Sequence, residues 1–331
     1  MSDREAFRHR RWFAYLSLII CVVLAFRPIP STLDSNDTGR YVAYQEDACS
    51  SPVYGDDAGA QQWTFQLLMR PTCQLGSDKI FLLVVASALP IAFIAFGEWK
   101  RKGALLLAAG LLVSVVGFEL TTNALRQAVS LAFLLAAISL EGKLARLLAL
   151  CIAMLLHTSS WIFLPWVFLL RRGQPKSGKS ESYTLLLAVP LVCALWYFLA
   201  PRIGTQLAAG LDLLEIYRSI YSIEVNRAFL VFMILPTCWV FAVRWADSRL
   251  PMPRNEKLTF YYSAVVLVAT IVFFPMMTYR VAMTTAVLQM FVAMKAMDLS
   301  VRSGAWIGSG LAGHFLIYAF VSPNVRAVLN V

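Results

Sequence analysis

The feature that most constrains this chain is a series of eleven apolar stretches separated by short polar segments. A helix needs about 20 apolar residues to cross the roughly 30 Å hydrocarbon layer of a bilayer, and most of these stretches approach that length. We therefore predict an all-α integral membrane protein with about eleven transmembrane helices, forming a single multi-pass domain over residues 1–331. The stretches are residues 13–26, 80–97, 104–118, 127–140, 144–157, 158–170, 184–200, 228–243, 258–276, 281–297 and 305–321.

The basic residues predict how these helices are oriented. Cytoplasmic loops of membrane proteins are enriched in Lys and Arg. If the N-terminus is cytoplasmic, 19 of the 29 Lys and Arg residues fall in cytoplasmic loops and ten on the opposite side. We therefore predict a cytoplasmic N-terminus and a periplasmic C-terminus. The ten outer cations are Arg27, Arg40, Arg70, Lys79, Arg126, Arg202, Arg218, Arg227, Arg280 and Arg326.

Composition supports the membrane class and argues against a nucleic-acid partner. The chain is 59% hydrophobic and only 15% charged, which is unlike a soluble domain. Its net charge of +10 comes from cations in short loops beside helix ends, where topology and lipid headgroups explain them. The expected partner of the basic residues is thus the lipid bilayer.

Two outer segments, residues 27–78 and 201–227, are long enough to carry structure outside the bilayer. Residues 31–39 are rich in turn-forming types and favour irregular structure. Residues 61–69 and 211–223 instead carry apolar side chains at helical spacing. We expect a short interfacial helix in each segment.

The six cysteines divide into two groups. Cys49 and Cys73 both lie in the first outer segment, where an oxidising compartment lets thiols pair. We predict a disulfide that closes a loop of about 24 residues and contributes roughly 3 kcal/mol; the alternative is that the two are too far apart to bridge. The other cysteines lie in apolar stretches, and no Cys or His spacing predicts a metal site or a cofactor.

Polar residues concentrate in three predicted outer turns. If the turn between the third and fourth helices is helical, Asn123 and Gln127 share a face and form one polar stripe. The turns contain Glu119, Thr121, Thr122, Asn123, Arg126 and Gln127; His157, Thr158, Ser159 and Ser160; and Thr278, Tyr279 and Arg280.

Three outer arginines occupy positions that the helix dipole disfavours. Arg126, Arg227 and Arg280 fall in the first turns of the predicted fourth, eighth and tenth helices, where partial positive charge already accumulates. Cations at such positions predict an anionic ligand, of which phosphate and diphosphate are the usual examples. The alternative is that each arginine binds a lipid headgroup. We favour the anion site for Arg126 and Arg280, because each adjoins a polar cluster.

At these residues the chain resembles the EpsG family of bacterial polysaccharide proteins, close to the Wzy-type O-antigen and exopolysaccharide polymerases. The similarity of hydrophobic spacing extends over most of residues 10–300, and the residues beyond about 300 add no match. The matching segments are Asp37-Thr38-Gly39-Arg40-Tyr41 with Tyr44, Leu125-Arg126-Gln127-Ala128, and Leu156-His157-Thr158-Ser159-Ser160.

The resemblance implies a metal-independent glycosyltransferase at the periplasmic face of the bacterial inner membrane. It would join undecaprenyl-diphosphate-linked oligosaccharide repeat units, which serve as donor and acceptor, with a flippase and a chain-length regulator as candidate partners. Arg126 and Arg280 would stabilise the lipid diphosphate leaving group. Glu119 or Asp37, ahead of His157, would take the proton from the acceptor hydroxyl. The candidate substrate-binding residues are Arg40, Tyr41, Asn123, Gln127, Arg218, Arg227 and Tyr279.

Two other classes of function stay open. A lipid-linked glycan flippase or other transporter predicts charges through the bundle interior, whereas the outer charges here stop at the rim. A glycosyltransferase or acyltransferase that decorates the same polymer would share much of the chemistry. An assembly partner without activity is the remaining alternative.

Overall fold

The computed structural model describes residues 2–27, 37–50, 60–75, 77–157, 159–170, 227–247, 253–273, 277–296 and 299–321. All regular structure in these ranges is helical, as predicted. The helices are α1 (Asp3–Ala25), α2 (Asp37–Ser50), α3 (Ala60–Met69), α4 (Asp78–Phe96), α5 (Ala104–Leu112), α6 (Val115–Thr122), α7 (Leu125–Ser139), α8 (Lys143–Leu156), α9 (Ser159–Ile162), α10 (Leu164–Leu169), α11 (Arg227–Asp247), α12 (Arg254–Phe273), α13 (Thr278–Met294) and α14 (Val301–Val321), with a 3₁₀ helix at Arg70–Leu75.

Helix α13 forms the centre of the bundle. All its residues except Tyr279 are buried, and it packs against α5, α6, α7, α11 and α12. A helix surrounded by other helices needs apolar side chains on every face, and α13 has them over most of its length. The first turn of α13 therefore holds Arg280 inside the bundle.

Side-chain contacts sort the helix termini into two ends. At one end, Lys100 pairs with Asp3 at 2.8 Å and the Lys295 ammonium donates to Ser139 Oγ at 2.9 Å. We call it the Arg244 end, after the arginine in the last turn of α11. The polar residues described below, including Arg280, lie at the opposite end, which we call the Arg280 end. Successive long helices thus alternate in direction, as an up-and-down bundle requires.

The surface of the bundle carries many exposed apolar side chains. Leu18, Ile19, Val22 and Val23 of α1 point outward, as do Leu144, Leu147, Leu148 and Leu155 of α8. Large apolar side chains exposed in such numbers suit lipid contact. Within the described residues, α4 has the length and apolar composition of a membrane span, and the pair α5 and α6 has them if the two count as one span.

Two predicted helices are interrupted. The third apolar stretch bends by 56° between α5 and α6, where the Ser114 hydroxyl donates to the Leu111 carbonyl and accepts from the Gly117 amide. A side chain that bonds to the backbone in this way competes with the helical hydrogen bonds. The sixth stretch forms only the short helices α9 and α10, with Pro165, which lacks an amide proton, at the start of α10.

The first outer segment contains more helix than its sequence predicts. Helix α2 begins at Asp37, so irregular structure was the wrong prediction for residues 37–39. Helix α3 agrees with the short helix predicted at 61–69. Cys49, near the end of α2, is joined by a disulfide bond to Cys73 in the 3₁₀ helix, the pairing that the sequence analysis expects. The helix expected at 211–223 lies outside the described residues.

Helices α5 and α14 contact each other through glycines. A Cβ atom on Gly308 would lie 2.7 Å from the Leu106 carbonyl oxygen, and one on Gly110 would lie 2.5 Å from the Gly308 Cα. Gly304 and Gly308 form the small-xxx-small spacing that lets membrane helices approach closely. Residues beyond 300 therefore contribute a close helix contact.

We expect Gly308→Ala to destabilise the protein by about 1–3 kcal/mol, because the new methyl group meets backbone and forces two helices apart. The thermal unfolding midpoint of protein purified in detergent measures this. Gly313→Ala, five residues along the same helix, is the matched control, since its Cβ would meet nothing within 4 Å. Equal midpoints for the two variants would contradict the close contact.

Candidate functional site

A buried arginine and histidine meet at the Arg280 end. The Arg280 guanidinium lies 3.1 Å from Nε2 of His157, which follows α8. Because a guanidinium only donates, Nε2 accepts and the imidazole is neutral. Nδ1 lies 2.7 Å from Ser159 Oγ and 3.2 Å from the Ser159 backbone nitrogen. His157 is thus held as the acceptor of a cationic partner.

Gln127 fixes the backbone that carries Arg280. Its side-chain amide donates to the Arg280 carbonyl at 2.6 Å and to Thr284 Oγ1 at 2.9 Å. Gln127 is fully buried, so its described contacts are structural ones and the side chain is not exposed to a substrate. The prediction of one polar stripe with Asn123 was wrong, because Asn123 lies in the break between α6 and α7.

A pair of serines ties α7 to the helices around His157. The Ser130 hydroxyl donates to the Ala153 carbonyl at 2.7 Å, and its oxygen lies 2.5 Å from Ser160 Oγ. Each of these hydroxyls is buried and satisfied within the protein. The Ser159-Ser160 part of the resemblance therefore orients His157 and anchors α9.

Arg126 lies on the first turn of α7 and is half-buried. Its Nε has no hydrogen-bond partner in the described parts of the chain. The first turns of α7 and α13 lie side by side, because Gln127, next to Arg126 in the chain, donates to the Arg280 carbonyl. Such a concentration of positive charge, with a donor unused, is suited to an anion.

The two helix N-termini at this place reinforce the positive potential. Neither α7 nor α13 has a side-chain cap on its N-terminus, and neither has an acidic residue in its first turn. Uncapped amides at a helix N-terminus bind phosphate groups readily. The geometry therefore combines two helix N-termini with Arg126 and Arg280.

Glu119 lies at the same end, on α6, and is buried. Its Oε2 accepts from the Asn123 side-chain amide at 3.1 Å, and its Oε1 accepts from the Tyr318 hydroxyl at 3.1 Å. Buried carboxylates need donors of this kind to compensate for lost hydration. Tyr318 was not among the residues predicted from the sequence, and it comes from the last described helix.

Arg27 has a structural role. Its guanidinium donates to the Leu24 carbonyl at 2.6 Å, to Thr38 Oγ1 at 2.8 Å and to the Thr122 carbonyl at 3.4 Å, while Thr38 also donates to Thr122. Burial lowers the pKa of Arg27 to about 10, so the group stays protonated at neutral pH. These contacts dock the start of α2 beside the end of α6, close to Glu119. The sequence identifies Arg27 as an outer cation directly after an apolar helix, but it gives no indication of the partners of Arg27.

The other residues predicted to bind substrate differ in position and burial. Tyr279 lies under the Arg280 guanidinium, 5.0 Å from ring centroid to Cζ. Tyr41 is buried against Phe65, with the ring centroids 5.5 Å apart. Arg40 is half-buried on α2. The structure does not describe Arg218 or the side chains of Asp37 and Arg227.

A small cavity lies at the Arg244 end, away from these residues. It is lined by Gln289 and by the buried pair of Arg244 and Glu256, whose two hydrogen bonds measure 2.6 and 3.1 Å. The cavity has room for little more than a water molecule, and its charges are already paired. We therefore place the site at the Arg280 end, where the chemistry suits an anionic ligand. No group of three His, Cys, Asp or Glu residues in the described ranges could hold a metal ion.

Comparison with known proteins points in the same direction. The model of the EpsG family matches residues 10–321, which is nearly the whole chain. The match includes the first outer segment, the Arg126 turn, His157, Arg280 and helix α14, so the prediction that residues beyond about 300 add no match was wrong. Curated proteins and solved structures give no significant match.

Proposed function

The chain belongs to the EpsG family, and on that premise we propose that it is a polysaccharide polymerase of the bacterial inner membrane. The proposed reaction joins undecaprenyl-diphosphate-linked oligosaccharide repeat units at the periplasmic face. The proposal is based on the predicted multi-pass topology, in which the Arg280 end faces the periplasm. The family is associated with membranes and with polymerase-like glycosyl transfer; the particular substrate and face are our proposal.

One observation carries the proposal: the uncapped N-termini of α7 and α13, which bear Arg126 and Arg280, are joined by the bond from Gln127 to the Arg280 carbonyl, and Arg280 contacts His157. Two cations placed together in a largely buried site repel each other unless an anion is bound between them. A lipid diphosphate supplies that anion, and its charge increases as it leaves. Stabilising a leaving group in this way is the kind of electrostatic contribution that most accelerates transfer reactions.

The proposed chemistry follows from that arrangement. A hydroxyl of the acceptor repeat unit attacks the anomeric carbon of the donor glycan. The new glycosidic C–O bond forms as the bond from the anomeric carbon to the diphosphate oxygen breaks. The electron pair leaves with the lipid diphosphate toward Arg126 and Arg280, and the hydroxyl proton passes to a base.

Glu119 is the best candidate for that base among the described side chains. His157 already uses Nε2 to accept from Arg280 and Nδ1 to contact Ser159, which leaves no free lone pair. Glu119 is a buried carboxylate at the same end, on the helix that packs beside α7. Asp37 begins a helix that is docked beside it and stays a second candidate.

Reconstitution tests the proposal. We expect purified protein in vesicles to convert repeat units extracted from a strain lacking this chain into products of two or more units. Each joining should release one lipid diphosphate, and a chelator should leave the reaction intact. Mass spectrometry of glycan and lipid follows both products.

The same assay separates the alternatives. Movement of unjoined units across the vesicle membrane would indicate a flippase. A mass increase by a single sugar or acyl group, seen only when that donor is supplied, would indicate a decorating enzyme. Unchanged substrate would favour an assembly partner, and each of these outcomes contradicts the polymerase.

A further inference from the structure

The last described helix reaches the candidate site through one tyrosine. Tyr318 of α14 lies 199 positions from Glu119, and its hydroxyl donates to Glu119 Oε1 at 3.1 Å. Both side chains are buried, with exposed fractions of 2% for Tyr318 and 4% for Glu119. A hydrogen bond between buried partners is screened little by water, so its geometry constrains the carboxylate strongly.

Aromatic neighbours fix the position of the Tyr318 hydroxyl. The Tyr318 ring packs on Phe232 of α11, with the centroids 5.4 Å apart, and Phe232 also packs on His314, one turn earlier on α14, at 5.1 Å. Phe118, the neighbour of Glu119, packs on Phe315 at 5.5 Å. The ring and the carboxylate are thus held by helices α6, α11 and α14 together.

Asn123 and Tyr318, which both donate to Glu119, come from different parts of the chain. Asn123 belongs to the break directly after α6 and moves with it, whereas Tyr318 belongs to a different helix. Asn123 alone would not fix the carboxylate relative to the other helices, because Asn123 belongs to the same turn of the chain as Glu119 and moves with it. The Tyr318 hydroxyl ties Glu119 Oε1 to α14 and so contributes to the direction in which the carboxylate faces.

We infer that Tyr318 is a positioning residue, which orients the Glu119 carboxylate to receive the proton of the acceptor hydroxyl. The inference rests on the proposed function, because it assigns a role at that same site. Tyr318 does not contact substrate in this scheme and acts through Glu119. Its loss should reduce the rate of joining and leave binding of the lipid-linked unit largely unchanged.

Tyr318→Phe is the direct test, because it retains the ring that packs on Phe232 and removes the hydroxyl. We expect kcat for joining to fall about 10- to 100-fold, as for the loss of one hydrogen bond to a charged group. We expect KM for the repeat unit to stay within about twofold. Tyr261→Phe makes the same chemical change at an exposed tyrosine of α12 and should match the wild type.

Two further measurements distinguish positioning from a general loss of structure. Glu119→Asp withdraws the carboxylate from Tyr318 by one methylene and should lower kcat with little change in KM. In a Glu119→Gln background, Tyr318→Phe should change kcat by less than about twofold, because the hydroxyl no longer has a carboxylate to orient. If Tyr318 were only structural, Tyr318→Phe would lower the unfolding midpoint in both backgrounds. The fold-reductions of kcat caused by the two substitutions would then multiply.

The outcomes are separable from those of the proposed function. If the wild-type protein joins no units, the polymerase proposal is wrong and this inference is wrong with it. If the wild type joins units and Tyr318→Phe retains its kcat, only the inference is overturned. Full multiplication of the two losses in the double variant would also overturn it.

Discussion

Replacing Arg280 with lysine is expected to reduce polymer synthesis by about 10²–10³-fold, the usual cost of removing one donor that stabilises transition-state charge. Arg280 contacts His157 through one nitrogen of its fork and lies over the ring of Tyr279. A lysine ammonium is a single compact charge and cannot take the place of a planar fork toward both partners. The charge alone should therefore be insufficient.

The measurement is the length distribution of glycan in cells that carry Arg280→Lys, normalised to the amount of protein in the membrane. Arg302→Lys makes the same change at an exposed position at the Arg244 end and should give the wild-type distribution. Because Arg280 is buried, its variant also needs a measured unfolding midpoint. Normal glycan length from Arg280→Lys at a normal protein level would exclude Arg280 from the proposed chemistry.

Arg126→Ala and Arg126→Lys are expected to cause a comparable loss of activity, with little loss of stability. Arg126 is half-buried, and its Nε has no partner within the described structure, so the fold loses little when the side chain is shortened. Substitutions that break no buried contact usually change stability by about 0.5 kcal/mol or less. Its function, in contrast, depends on the two donors that a guanidinium presents to a diphosphate.

Cells carrying either Arg126 variant should accumulate a single lipid-linked repeat unit and make little long glycan. Gel analysis of the glycan and mass spectrometry of the lipid fraction measure these two quantities. Wild-type ladders from both variants would identify Arg126 as an anchor to lipid headgroups. The anion site would then have to be sought around Arg218, Arg227 and the second outer segment.

Several parts of the site were predictable because they depend on local chemistry. Arg126 and Arg280 each begin an apolar helix, and a cation at that position is recognisable without knowing its neighbours. The same holds for Cys49 and Cys73, which lie together in one outer segment. His157 was noticed for its polar neighbours, and the structure adds that Arg280 occupies its Nε2.

Other parts were not predictable, because they depend on which helix packs beside which. The bond from Gln127 to the Arg280 carbonyl joins residues 153 positions apart, and nothing in either local pattern indicates it. Arg27 resembles the other outer cations in sequence, yet it is buried in contact with Thr38 and Thr122. Asn123 and Gln127 have helical spacing, but the break before α7 separates their roles.

The sequence by itself determined the helical class, the apolar surface and the concentration of polar residues near helix ends. These properties follow from residue type and periodicity, which act over a few turns of chain. Only the tertiary structure decided that Tyr318 meets Glu119, that α13 lies at the centre and that Tyr41 is buried. Such contacts arise when many side chains pack together at once, so their partners are chosen by the shape of the whole bundle.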